Sequence, residues 1–176
     1  GALVAGFGRK NPAAPASRES SGAAWTPTTP TAPPGTPANP AAAPTAAGEA
    51  RTIEITGNDA MKFNLTRIDA KAGETIKVVL RNVGSLPKAA MGHNFVLLKS
   101  GVNVDEFAAA AITAGPSKDY FPTDKVDQTL GHTKLTGPGE TAEVTITLPT
   151  APGEYAYLCT FPGHFAAGMR GVVAVK

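Results

Sequence analysis

The sequence predicts an all-β domain, a β-sandwich with one helical insertion, behind a long disordered extension. Three observations predict it. From Arg51 onward, short runs of alternating apolar and polar residues are separated by Gly- and Pro-containing turns at sandwich spacing. Only one stretch, residues 104–113, has a helical pattern. Residues 1–50 hold nine of the sixteen prolines, are otherwise dominated by Ala, Thr, Ser and Gly, and lack hydrophobic periodicity. Such a segment cannot bury enough apolar surface to offset the entropy of ordering it, and it favours extended polyproline conformations.

The elements of residues 51–176 follow in order. Thr52-Ile-Glu-Ile-Thr56 alternates and is read as a strand, closed by the turn signal Gly57-Asn58-Asp59. Met61 and Phe63 supply core side chains, and residues 68–71 form a short strand before the turn at Ala72-Gly73-Glu74. Thr75-Ile-Lys-Val-Val-Leu80 is a strand with Ile76, Val78 and Leu80 on one face. Residues 83–88 make a loop into Met91-Gly92-His93-Asn94, which heads the buried run Phe95-Val-Leu-Leu98. In the helix, Asp105 and Glu106 occupy the first turn, where the dipole favours acids, Gly115-Pro116 stops it, and its alanines make a small packing face. Lys118-Asp-Tyr120 and Asp124-Lys-Val-Asp127 are read as a solvated loop. Leu130-Gly-His132-Thr-Lys-Leu135 and Thr141-Ala-Glu-Val-Thr-Ile-Thr147 are strands around the turn at residues 137–140. Glu154-Tyr-Ala-Tyr-Leu158 puts Tyr155, Tyr157 and Cys159 on one face, with both tyrosines read as packing residues, and residues 171–176 form the last strand.

The chemistry concentrates in Cys159-Thr160-Phe161-Pro162-Gly163-His164-Phe165-Ala166-Ala167-Gly168-Met169. Cys159 is the only cysteine, so no internal disulfide can form. A thiolate, an imidazole and a thioether within eleven residues select a soft ion. Each residue alone is readily explained by packing. Three ligands crowded onto one turn after a strand are not. Copper fits best: thiolate and thioether suit Cu(I), while imidazole accepts either oxidation state. Zinc normally takes more Cys or His, or keeps a position open for water.

A trigonal His₂Cys site needs a second imidazole, from His93 or His132. His93 precedes a buried run, whereas His132 has no soft ligand beside it and is read as a surface residue without function. The predicted set is therefore His93, Cys159 and His164 in a plane, Met169 as a long axial contact, and the Gly92 carbonyl opposite it, where the missing side chain permits close backbone approach. Asn94, Thr160 and Phe161 are expected to surround these ligands, with the Asn94 amide holding the ligand loops together. Leu86, Met91, Phe161, Pro162, Phe165 and Ala166 are expected to form an apolar docking patch around the outward edge of His164.

Charge is close to balanced. From residue 51 there are thirteen Lys and Arg against twelve Asp and Glu, and no basic stripe interleaved with aromatics, which argues against a nucleic-acid partner. The opening Ala2-Leu3-Val4-Ala5-Gly6-Phe7 is too short to span a bilayer; it is either the remnant of a longer signal or anchor, or a weakly apolar terminus. Fifty residues of flexible tether reach about 40 Å, as a membrane-anchored carrier would need.

From Ile53 to Lys176 the chain resembles the azurins, the blue-copper branch of the cupredoxins. The resembling stretches are Gly57-Asn-Asp-Ala-Met61, Leu86-Pro-Lys88, Met91-Gly-His-Asn94, Lys118-Asp-Tyr120, His132-Thr-Lys-Leu135, Cys159-Thr-Phe-Pro-Gly-His164 and Met169-Arg-Gly. The resemblance implies a Greek-key sandwich of about eight strands with copper at one end, and assigns the same five ligands. It departs from azurins in three ways. There is no cysteine pair for their disulfide, four residues instead of three separate His164 from Met169, and Phe95 replaces a tryptophan that Trp25, in the extension, cannot supply. The wider spacing and the extension look more like the auracyanins, membrane-associated relatives from filamentous phototrophic bacteria.

The resemblance and the tether together imply a monomeric single-electron carrier, not an enzyme, on the periplasmic side of the cytoplasmic membrane. Its expected partners are a c-type cytochrome, a quinol-oxidising complex or a reaction centre of a photosynthetic or respiratory chain. The alternative is a periplasmic copper delivery or storage protein. Such proteins usually expose their soft ligands and cluster methionines, and this chain has only Met61, Met91 and Met169.

Overall fold

The computed structural model describes residues 49–176; the predicted disordered tether and Trp25 lie outside the described residues. Among the described residues, nine strands build two sheets. The first contains β1 (Arg51–Asn58), β2 (Lys62–Phe63), β4 (Thr75–Asn82) and β7 (Thr141–Thr147), in the order β2-β1-β4-β7. The second contains β3 (Arg67–Ala70), β5 (Val96–Leu98), β6 (Thr129–His132), β8 (Gly153–Leu158) and β9 (Arg170–Val175), in the order β3-β9-β8-β5-β6. The extra strand beyond the expected eight is the two-residue β2.

Period-two patterning places the core. Ile53 and Ile55 of β1 lie in register with Val78 and Leu80 of the parallel β4, and all four are buried. Across the sandwich, Tyr155 pairs with Val173 and Tyr157 with Gly171 between β8 and β9. Both tyrosines are packing residues, as expected: they are at most 3% exposed, and the Tyr157 hydroxyl donates to the Leu65 carbonyl at 2.6 Å. Phe95 packs against Tyr157 with tilted rings, their centroids 5.0 Å apart. It fills the core next to the site.

Two α-helices interrupt the strands: α1 (Lys88–Met91), a single turn ahead of β5, and α2 (Val104–Ala114), the insertion between β5 and β6. The Asn103 side chain caps α2 by accepting the Asp105 and Glu106 amides, and Gly115 ends it at φ 75°. Phe107 and Ala108 seat it in a second apolar cluster with Val96, Leu98, Phe121 and Leu158, and Ala111 is buried as well.

Several local readings differ from the structure: the strand read to Leu135 ends at His132, Met61 is only half-buried, and three segments are built differently. Gly57 does not close a turn; β1 runs through it to Asn58. The loop before His93 contains α1, held by the Met91 amide donating to the Pro87 carbonyl at 2.9 Å. The stretch expected as open loop after α2 winds into 3-10 turns at Pro116–Lys118 and Thr123–Gln128, and buries Phe121. Gly57 is held by pairing with distant strands, whereas α1 and the 3-10 turns close on local backbone bonds too short to leave a periodic pattern.

Because β1 and β4 run parallel, with Gly57 opposite Asn82, their exits lie at the same end of the sandwich. The loop from β4 to β5 and the loop from β8 to β9 meet there.

Candidate metal centre

His93 follows α1 and is fixed through its backbone. Its amide donates to the Thr136 carbonyl at 3.0 Å, and its carbonyl accepts from the Thr136 amide at 2.7 Å and hydroxyl at 2.8 Å. The buried Asn82 amide extends this brace by donating to the Thr136 carbonyl at 3.1 Å. Gly92 is glycine for packing. A Cβ there would lie 2.8 Å from the Leu135 methyl and 2.8 Å from the Lys88 carbonyl oxygen.

The second ligand loop is closed by its own backbone. Cys159 donates its amide to the Met169 carbonyl at 3.0 Å, His164 to Phe161 at 3.1 Å, and Met169 to His164 at 2.9 Å. Between His164 and Met169, the amides of Ala167 and Gly168 bond back to Gly163 and Phe165, so the wider spacing is taken up as a compact turn ending at Gly168, φ 92°. The Lys62 ammonium of β2 donates to the Ala167 carbonyl and ties this turn to the opposite sheet.

Asn94 joins the two loops. Its amide nitrogen donates to the Thr160 hydroxyl at 2.7 Å, and its oxygen accepts the Thr160 amide at 2.8 Å. A longer contact, 3.4 Å, runs from the same nitrogen to the Asp119 carbonyl.

The three donor atoms converge. One ligand atom each from His93, Cys159 and His164 lie within 4.8 Å of one another, and all three residues are buried. Nδ1 of His93 stands 3.2 Å from Nδ1 of His164, and Cys159 Sγ stands 3.5 Å from the latter. Met169 is fully buried, its methyl beside the His93 ring next to Gly57. His132 stands apart, stacked on Phe121 at 3.7 Å.

Burial governs the protonation of these groups. It pushes the Cys159 thiol up to about 12, against the opposing pull of the Asn94 and Phe161 backbone N–H groups near the sulfur. It pulls His164 down to about 4, helped by the neighbouring His93, and pulls His93 down as well, against weaker opposition from the Asn58 backbone and Asp59. At neutral pH the pocket therefore holds two neutral imidazoles ready to donate lone pairs, and a thiol whose proton a soft cation must displace. Among the described residues, His93 Nε2 is the one buried side-chain nitrogen or oxygen without a hydrogen-bond partner. The donor set fits copper: two imidazole nitrogens, one sulfur and a thioether in a water-poor pocket.

The chain from residue 50 to 176 matches the family model described as copper binding proteins, plastocyanin/azurin family. It belongs to that family. Azurin from Pseudomonas aeruginosa is 38% identical over 138 residues, covering 77% of this chain and 90% of that protein. Auracyanin-A from Chloroflexus aurantiacus is 36% identical over 127 residues, covering 71% and 74%. Among solved structures, the dithionite-reduced auracyanin of the photosynthetic bacterium Roseiflexus castenholzii superposes with a TM-score of 0.64 at 36% identity, over 73% of this chain and 99% of the other. Auracyanin A of Chloroflexus aurantiacus, a blue copper protein, gives 0.65 at 34% identity, over 73% and 100%. The cofactor is copper, and His93, Cys159, His164 and Met169 are arranged as a type 1 copper site. Family membership implies electron transfer.

The surface around the site is less open than the sequence suggests. His164 is only 1% exposed, so its outward edge reaches the surface by no more than a sliver. Phe161, expected in both roles, is 7% exposed; it covers His164 at 4.6 Å between ring centroids and meets Tyr120 edge-on at 5.0 Å. Phe165 is half-buried against the α2 cluster, with the Arg170 guanidinium 5.0 Å above its ring. Leu86 and Ala166 are exposed, while Met91 and Pro162 are half-buried. Thr136, Asn82, Asp119 and Tyr120 have no site role in the sequence analysis. Their signal lies in long-range pairing, which no local pattern records.

Proposed function

We propose that this chain is a mononuclear type 1 copper electron carrier in which His93, Cys159, His164 and Met169 would hold the ion and the Gly92 carbonyl would add a weak further contact. The observation that carries this reading is the convergence of three buried donor atoms within 4.8 Å. Copper, when bound, supplies a one-electron Cu(II)/Cu(I) couple. The protein's part is to hold its donors still: the Thr136 brace fixes His93, the Asn94–Thr160 bonds fix Cys159, and the closed turn fixes Met169. Donors that do not move when charge arrives keep the reorganisation barrier low. The Asn94 and Phe161 N–H groups draw charge from the sulfur, and the apolar surroundings favour the lower-charged state.

Electrons pass through the His164 side, with Leu86, Met91, Pro162 and Ala166 offering apolar contact and Phe161 and Phe165 packing behind them. A small surface of this kind suits the brief encounters of redox partners. The partners in this reading are a c-type cytochrome, a quinol-oxidising complex or a reaction centre on the periplasmic side. The photosynthetic source of the auracyanin neighbours and the proline-rich extension as a membrane tether support it. Full burial of the sulfur and both imidazoles favours a carrier over a delivery or storage protein, which must expose ligands to exchange its metal.

The test is a visible spectrum after addition of Cu(II), followed by electron exchange with a c-type cytochrome. Intense thiolate-to-copper absorption, abolished in Cys159→Ser, and rapid exchange are expected. A colourless protein sinks the copper assignment. A coloured protein that exchanges slowly points to storage.

A further inference from the structure

Gly57 is the third inward-facing position of β1, after Ile53 and Ile55, and it is buried. Its φ is not in the left-handed region, so its backbone is one that any residue adopts. Conformation therefore does not explain a glycine here. Space does. A Cβ at 57 would fall 2.8 Å from the Met169 methyl and 2.9 Å from both Cγ and Cδ2 of the His93 ring.

We propose that Gly57 is a positioning residue for the Met169 thioether: the missing side chain leaves the room that the Met169 methyl occupies beside His93, and so sets how the thioether meets the metal. This inference rests on the copper-carrier reading. The backbone at 57 cannot give way easily. It is paired with Phe63 on one side and Asn82 on the other, and its carbonyl accepts the Val83 amide at 2.9 Å. His93 is held by three bonds to Thr136. Met169 is unbranched and has the most rotamer freedom of the three, so an added methyl group displaces Met169 first. Loss of an axial donor costs the more highly charged Cu(II) state more, so the potential rises.

The test compares the parent, Gly57→Ala, Met169→Ala and the double variant, each loaded with Cu(II). Gly57→Ala is expected to stay coloured, with altered relative band intensities, a changed electron paramagnetic resonance pattern and a raised reduction potential. In the Met169→Ala background the same substitution should change these far less, because the Met169 methyl is gone and only the contact with the braced His93 ring remains. A Gly57→Ala protein matching the parent in spectrum and potential overturns the proposal, as does an equal shift with and without the Met169 side chain. If Gly57→Ala does not fold, recovery of a folded copper-binding protein in the double variant supports the steric account, and continued failure overturns it. The Met169 methyl resonance of the copper-free protein gives a reading that does not depend on colour. It should move in Gly57→Ala, and an unmoved resonance refutes the proposal even if the parent proves not to be a blue copper protein.

Discussion

Replacing Asn94 by alanine removes a side chain that makes two short bonds between the ligand loops. Two short bonds are lost, at 2.7 and 2.8 Å, each contributing about 1 kcal/mol net. The Thr160 amide, on a residue only 2% exposed, is left without its acceptor, which costs about 1–2 kcal/mol more. The 3.4 Å contact to Asp119 is too long to add much. The expected loss is thus about 3–4 kcal/mol, or about 10 °C in Tm for a domain of this size. Urea unfolding of the copper-free protein measures it directly, with an unchanged m-value showing that the unfolded state is unaffected. The copper-free form is the right one, since metal binding would mask the difference. Thr160→Ala should cost about 1 kcal/mol and be non-additive with Asn94→Ala, because both remove the same bond. A loss below about 1 kcal/mol for Asn94→Ala, or full additivity of the pair, would refute the view that this amide holds the loops together.

Two further outcomes follow from the site. The His164 pKa falls to about 4 in the folded copper-free protein against an ordinary value of 6.5, so between these pH values the unfolded chain binds a proton that the folded one does not. Stability is therefore full above about pH 6.5 and drops by about 3 kcal/mol as pH falls to 4, with the depressed His93 acting in the same direction; a flat profile in denaturant titrations at each pH would contradict it. His132→Gln should leave the spectrum of the copper-loaded protein unchanged, because His132 stacks on Phe121 away from the donor cluster, and loss of colour would show the second imidazole to be wrongly assigned.

The sandwich is legible in the sequence wherever one face of a strand is buried and the other wet. In β4, Ile76, Val78 and Leu80 are buried and alternate with more exposed neighbours. The same alternation carries Asn82 inward at the end of that strand, where an amide would look out of place until its bond to Thr136 is seen. The copper ligands are legible for a different reason: Cys159, His164 and Met169 are close in sequence, and chemistry restricts what can complete them. What stays hidden depends on contacts between distant segments. Gly57 reads locally as a turn residue, and only the return of Met169 and His93 to the same spot shows why a side chain is missing there. Tyr120 and Asp119 sit in a stretch polar enough to pass for solvated loop, yet one packs on Phe161 and the other accepts from Asn94. An outward edge of His164 is what a docking patch would ask for. Phe161 folds over the ring instead.

X-ray absorption at the copper edge of the loaded protein tests the central claim most directly. The account predicts one short copper–sulfur contact and two imidazole nitrogens, with the sulfur absent in Cys159→Ser. A shell of oxygen and nitrogen alone in the parent protein would contradict it.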